Sequence, residues 1–336
     1  MVSLSIKYRP QNFNDVVGQQ STIKILKKQL QVNKTKNAYL FCGASGSGKT
    51  TLARILAKEL NGVEDSAIEL DAARASSEGK DTINNIVDSA KERSITYTYK
   101  VFIIDECHLL SKAAWNALLK TLEEPPKYTV FILCTTEPNK VPDTIKNRCQ
   151  RFNITKIPSV LINERLKYIC CQEGFTNYED TCDYISKNCK NQMRDAISIL
   201  EQTADISTEL SLSNAIEVTG ASNYEAMFTL INAIIDRDVA IIATTLNDIF
   251  LNSINMKAMV ESLLRLELDI NKYIIFHNMS LISTPLYFEP KIKECINFDN
   301  PTQYHSYILN NLLDLNKLNE LDENIITAYI FRMAGY

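Results

Sequence analysis

Nine cysteines and only three histidines occur in the 336 residues, and no two cysteines stand in a Cys-x-x-Cys spacing. A structural zinc site draws on closely spaced ligand pairs, so this shortage argues against one. The odd cysteine count also argues against a disulfide framework; reduced, buried thiols acting as small hydrophobes are expected. No stretch approaches the roughly 18 uninterrupted apolar residues of a membrane-spanning helix. Asp236, Asp238 and Asn247 interrupt the C-terminal apolar runs. The opening Met-Val-Ser-Leu-Ser-Ile-Lys-Tyr-Arg-Pro lacks the basic-then-apolar order of a secretory signal. A cytoplasmic protein without a membrane partner is expected, in a bacterium or, for a viral protein, in the host cytoplasm. Positive charge is not in excess either: the net charge is −4. That argues against a wholly basic nucleic-acid binder, while a locally positive face remains open.

What is present has the composition of a globular protein, 45% hydrophobic and 23% charged, and its length predicts two or three domains. The first 150 residues alternate short apolar runs with helix-like segments, the pattern of a parallel sheet covered by helices on both faces. Strands are expected at residues 38–42, 67–70, 100–104, 129–134 and 150–152. Their nearly continuous apolar character predicts burial on both faces. Helices are expected to about residue 60, over 82–91, and over 112–124, where Pro125-Pro126 stops the last. After Pro158 apolar residues recur at three- and four-residue spacing, predicting a helical region with a break at Gly220 and helices over 227–251 and 258–276.

Gly43-Ala44-Ser45-Gly46-Ser47-Gly48-Lys49-Thr50 matches the phosphate-loop pattern, and it holds three of only nine glycines. Glycine lets successive backbone amides turn toward an anion. Lys49 is expected to reach the β- and γ-phosphates of a nucleoside triphosphate, and Thr50 to coordinate magnesium. Thr51 follows at the start of the helix, whose N-terminus favours negative charge. The run Val101-Phe-Ile-Ile-Asp105-Glu106 ends a strand in two carboxylates, at the sheet edge where open α/β folds bind ligands. Asp105 suits the metal, and Glu106 suits the attacking water. His108 reads more readily as a packed or capping residue than as a catalytic one.

Such ATPases also use a polar residue on a neighbouring strand and a cation on the γ-phosphate. Thr136, in Thr135-Thr136-Glu137, could supply the first, and Arg148 the second. On spacing alone a strand-end threonine pair and a solvated arginine fit better. Arg194 stands near a predicted helix start, where a cation opposes the helix dipole, but Asp195 beside it is a sufficient partner, so spacing leaves its role undecided.

Together these residues resemble the clamp-loader branch of the AAA+ ATPases, and within it the gamma/tau family of bacterial DNA polymerase III subunits. The likeness runs through residues 5–220. Lys7-Tyr8-Arg9-Pro10 and Asp15-Val16-Val17-Gly-Gln19 are similar to boxes that wrap the adenine. Asn116-Ala-Leu-Leu-Lys-Thr-Leu-Glu-Glu-Pro-Pro126 is the most specific match. Residues 135–140 resemble the sensor 1 segment, which implies that role for Thr136. Asn147-Arg148-Cys149 resembles the Ser-Arg-Cys box, which implies that Arg148 is an arginine finger acting in trans on a neighbouring subunit; Asn147 departs from the serine. Met193-Arg194-Asp195 resembles the sensor 2 motif, with Arg194 reaching the nucleotide in cis.

Family members carry a four-cysteine zinc module after the phosphate-loop helix. Residues 60–67 leave no room for it, so no zinc is expected. The sequence also ends at Tyr336, without the long tau extension.

The resemblance implies an α/β AAA+ nucleotide-binding domain over 1–153, a small helical lid over 154–219, and an all-helical collar for oligomerisation over 220–336. It implies ATP and Mg2+ as ligands, and a five-subunit ring of clamp-loader subunits acting on a sliding clamp and primer–template DNA. Arg74, Lys80, Ser111 and Lys112, near helix starts, are candidate phosphate contacts to that DNA, although each also fits an ordinary surface position. Two other readings stay open: another AAA+ DNA ATPase, such as a branch-migration or replication-restart factor, and a structural loader subunit that does not hydrolyse ATP.

Overall fold

Residues 2–73, 81–219, 224–252, 255–284 and 288–336 are described by a computed structural model. The expected Arg74, Lys80 and Gly220 lie outside them.

Among the described residues five segments form strands: β1 (Ala38–Cys42), β2 (Ala67–Asp71), β3 (Lys100–Asp105), β4 (Thr129–Thr135) and the largely polar β5 (Gln150–Asn153). They pair in parallel in the order β2-β3-β4-β1-β5. In the three central strands alternate side chains enter two cores. Leu40, Phe102, Phe131 and Leu133 face Trp115, Leu118 and Leu122 of the helix Lys112–Glu123. Tyr39, Phe41, Ile103 and Ile132 face Leu52 and Leu56 of the helix Lys49–Asn61. Phe102 and Phe131 stack at 5.3 Å between ring centroids. Truncating either to alanine would cost about 3–5 kcal/mol, because such tight packing relaxes little around the cavity.

Burial on both faces does not extend to β2. It is an edge strand, and Ile68, Glu69 and Asp71 are exposed on it. Glu69 there binds Arg54 at 2.6 Å.

The chain forms two compact units, residues Met1–Ile162 with Asn191–Asp195, and residues Asn163–Lys190 with Ala196–Tyr336. The second is helical. The single helix expected over 227–251 is two, Tyr224–Asp236 and Val239–Asn252. Arg237 between them adopts φ 57°. The next residue, Asp238, then caps the second helix, its Oδ1 accepting from Ala240 N and Ile241 N at 3.0 Å. A local cap outcompetes continued helical periodicity at that point. Further along, the helices Met256–Phe276 and Pro301–Asn316 pack together and bury Glu267 against His305. No helix among the described residues is long and apolar enough to cross a membrane.

Candidate nucleotide site

Parallel pairing puts the ends of β1, β3 and β4 at one edge of the sheet. Cys42 lies opposite Thr135, and Ile104 opposite Leu133. The residues that follow those ends form the site.

After β1 the chain turns through the phosphate loop into the helix Lys49–Asn61. Gly43 N donates to Thr135 O at 3.1 Å, and a Cβ on Gly43 would meet the Ile154 carbonyl at 2.3 Å. Glycine is therefore needed there for close approach to the neighbouring chain. Gly48 has φ 96°, a left-handed conformation that disfavours side chains, and it begins the helix without a side-chain cap. The helix N-terminus is left to backbone amides, as an anion site requires. Within the loop Ser47 Oγ donates to Ala44 O at 2.8 Å.

Lys49 is 5% exposed. Its Nζ donates to Gly43 O at 3.0 Å and Ala44 O at 2.9 Å, and among the described residues no carboxylate lies within salt-bridge distance of it. A buried cation held only by carbonyls is electrostatically incomplete. Phosphate oxygens would complete it.

Thr50 Oγ1 donates to Asp105 Oδ2 at 2.6 Å, and Asp105 Oδ1 accepts from Glu106 N at 3.0 Å. A hydroxyl and a carboxylate in contact form an oxygen-only donor pair, which suits magnesium rather than a softer metal. Glu106 adopts φ 45°. Its Oε2 accepts from Thr136 Oγ1 at 2.9 Å and from Thr136 N at 3.3 Å. Thr50, Asp105, Glu106 and Thr136 thus meet, although 86 positions of sequence separate the first from the last.

Arg194 is exposed and belongs to the same compact unit as the loop. Burial comes first, then the charges of Arg54 and Arg194, in lowering the pKa of Arg9 from its ordinary value. Arg9 and Arg194 are therefore close enough to repel, and an anion between them would relieve that repulsion. Tyr8, Pro10, Val16 and Val17 are partly buried. The Lys7 ammonium lies 5.5 Å from the Tyr8 ring centroid, and Val16 packs against the core beneath β1.

Arg148 bonds within its own chain, to Glu123 Oε1 at 2.6 Å and Thr144 O at 2.7 Å. Ser111 caps the helix Lys112–Glu123, its Oγ accepting from Ala114 N at 3.2 Å, and Lys112 is exposed.

Two side chains at the site drew no functional reading from the sequence. His108 is 6% exposed and lies against Glu106 and Glu137. Gln192 covers the loop: a Cβ on Gly46, which has φ 65°, would stand 3.0 Å from Gln192 Cβ. With its amide oriented to donate, Gln192 reaches Ser45 O and Asp195 Oδ2, each at 3.2 Å. A polar type within three residues of a motif was the only signal for either. All nine cysteines are free. Cys107 and Cys134 are pushed well above their ordinary pKa, first by burial, as packed thiols are. Cys171 departs from that pattern, being exposed, with its Sγ 3.0 Å from Tyr178 Oη.

The family described as DNA polymerase III, delta subunit, matches residues 18–77 and 68–158. The Bacillus subtilis DNA polymerase III subunit tau is 38% identical over 279 residues, 76% of this chain and 49% of that protein. The gamma/tau subunit of Mycoplasma genitalium is 33% identical over 326 residues, 90% of this chain and 53% of the relative. The chain thus spans about half the length of these two. The Buchnera aphidicola (subsp. Schizaphis graminum) gamma subunit is 34% identical over 268 residues, 73% of each chain. Among solved structures, the RuvB Holliday junction branch migration motor of Thermotoga maritima superposes with a TM-score of 0.53 at 19% identity, covering 78% of this chain and 92% of that one. At that identity the likeness establishes a shared fold alone. With a gamma subunit matched at this identity over most of its length, the chain belongs to the DNA polymerase III gamma/tau family.

Proposed function

We propose that this chain is an ATP-hydrolysing motor subunit of a sliding-clamp loader, which opens a ring-shaped clamp and places it on primer–template DNA. The observation that carries the reading is the buried Lys49, without a carboxylate partner among the described residues, beside the Thr50–Asp105 pair. It lies in a chain whose relatives are subunits of a replicative polymerase.

Lys49 and the amides of residues 43–51 hold the β- and γ-phosphates. Thr50 and Asp105 hold magnesium, which supplies neutralisation of the charge on the phosphate oxygens. Glu106 orients and polarises the attacking water, and Thr136 fixes the Glu106 carboxylate. Arg194 meets the nucleotide in cis, and Tyr8, Arg9, Pro10, Val16 and Val17 surround the adenine. Arg148 leaves Glu123 and acts in trans on the nucleotide of a neighbouring subunit. The isolated chain is therefore a poor ATPase, and hydrolysis reports assembly.

Residues 1–153 serve as the nucleotide-binding domain, 154–219 as the lid and 220–336 as the collar of a five-membered ring in the cytoplasm. Ser111 and Lys112 offer a helix start to DNA phosphates, a contact that positions DNA without reading its sequence. No zinc takes part.

The test is the ATPase rate with clamp and primed DNA added separately and together. Stimulation greatest with both supports the loader. ATP-driven branch migration or unwinding without a clamp replaces it with another AAA+ DNA ATPase. No turnover in a complete assembly with clamp and primed DNA makes the chain a structural subunit.

A further inference from the structure

His108 is the one nearly buried imidazole at the nucleotide edge, and each of its ring nitrogens faces a carboxylate. Nδ1 lies 3.3 Å from Glu106 Oε2 and 3.1 Å from Thr135 Oγ1. Nε2 lies 3.2 Å from Glu137 Oε1. Glu137 also binds Lys140, at 2.9 Å, and donates its backbone N–H to Thr135 Oγ1 at 3.0 Å. A continuous polar chain therefore runs from exposed Lys140 through Glu137 and His108 to Glu106. Local geometry makes the link possible. Glu106 turns left-handed after β3, so the short 3-10 turn Cys107–Leu109 swings the ring back over the ends of β3 and β4.

The consequence lies at one oxygen. Thr136 N and Thr136 Oγ1 both donate to Glu106 Oε2, and His108 Nδ1, which hydrogen-bonds Thr135 Oγ1, lies 3.3 Å from the same oxygen. A carboxylate pinned through one oxygen has its remaining oxygen fixed in direction. That is what a group aligning a water molecule needs, since misplacement by about 1 Å costs on the order of a hundredfold in rate. Thr136 alone leaves the carboxylate a hinge on one residue. His108, approaching from β3's own turn and held by Thr135 Oγ1, packs against that oxygen from a second direction.

We propose that His108 is a positioning residue for hydrolysis, held by Thr135 and packed between Glu137 and the oxygen of Glu106 that Thr136 bonds, so that it limits the swing of that carboxylate. The inference rests on the ATPase reading above. His108 is not among the residues assigned above to the phosphates or the metal, so it acts through Glu106 and its loss is expected to leave nucleotide affinity intact.

The test compares His108→Ala, His108→Asn and His108→Gln in the assembled protein, with wild type and Lys49→Ala alongside. Asparagine places an amide near the position of Nδ1, whereas glutamine places one near Nε2. Turnover at saturating ATP and affinity for a fluorescent ATP analogue are read for each. The expected result is a tenfold or greater fall in kcat for His108→Ala with affinity within twofold of wild type. His108→Asn should recover most of the rate, and His108→Gln should not. A merely structural imidazole would lower rate and affinity together, or would be replaced equally well by both amides, and either outcome overturns the inference. Normal turnover in all three variants overturns it as well. Should the alanine variant fail to fold, the asparagine–glutamine contrast still decides. Wild type no faster than Lys49→Ala would remove the ATPase reading itself and the inference with it, an outcome distinct from the others.

Discussion

Thr50 Oγ1 donates a 2.6 Å hydrogen bond to Asp105 Oδ2 and so ties the first turn of the phosphate-loop helix to the end of the neighbouring strand β3. Two oxygens in such contact are positioned to share a cation, the role proposed above for them. Asp105→Asn keeps the size and one oxygen but removes the charge. The Mg2+ concentration needed for half-maximal ATP binding is expected to rise about tenfold or more, since ligand charge sets affinity for a hard divalent cation. Titration of Mg2+ at fixed nucleotide reads this directly; an unchanged midpoint would place the metal elsewhere.

Arg148 forms an ion pair with Glu123 of its own chain. For Arg148→Ala we predict unchanged ATP binding and a fall of about 10³-fold or more in DNA-stimulated turnover, the scale of losing a charge-neutralising arginine. Mixed assemblies with Lys49→Ala chains provide the check. Activity regained in mixed rings locates the arginine opposite a neighbour's nucleotide, whereas no recovery in any arrangement of sites counts against action in trans.

Gly43 has no room for a side chain, because a Cβ would stand 2.3 Å from the backbone oxygen of Ile154. The Gly43→Ala variant must displace either the loop or the end of β5. A loss of about 1–3 kcal/mol is expected from overpacking, accompanied by weaker ATP binding. Chemical denaturation and nucleotide titration of the same preparation measure both, and wild-type values in both would show that the loop yields freely.

In the helical unit Glu267 and His305 are fully buried and lie 2.7 Å apart, with His305 Nε2 also 3.0 Å from Cys295 O. Burial raises the Glu267 pKa, and His305 only partly offsets it. Burial opposes the charged form of His305, but the hydrogen bond and charge of Glu267 more than compensate, so its pKa is raised too. Both shifts mean that the folded pair holds its proton more tightly than the unfolded chain does. The stabilisation is complete below the unfolded pKa values and declines as pH rises through the folded ones. We therefore predict that denaturation midpoints fall on going from about pH 6.5, near the ordinary histidine value, upward. His305→Gln should flatten that slope and cost about 3–5 kcal/mol near neutrality, as removing one member of a buried pair does. A His305→Gln profile parallel to wild type would refute the assignment.

The side chains of the candidate site were legible because they stand in local motifs. Glycine spacing from Gly43 to Gly48 marks a tight turn into the helix, and Lys49 and Thr50 follow by chain connectivity. The strand leading to Asp105 and Glu106 was legible for the same reason, as were the other strands built on apolar runs, β1, β2 and β4. The split at Arg237 was not, because helical periodicity continues on both sides while a single left-handed residue and the Asp238 cap end the first helix. Nor was the exposure of β2, since an apolar run does not reveal whether it will have one neighbour or two.

What the sequence determined by itself, then, is the set of candidate groups, since each sits within a few residues of the turn that places it. Tertiary structure decided which groups meet. Only the order β2-β3-β4-β1-β5 brings Thr50, Asp105 and Thr136 to one edge. Only the crossing of β3's turn over β4 sets His108 between Glu106 and Glu137. Strand pairing is a contest among distant segments with similar apolar patterns, settled by packing over the whole sheet, and residue spacing along the chain carries no record of its outcome.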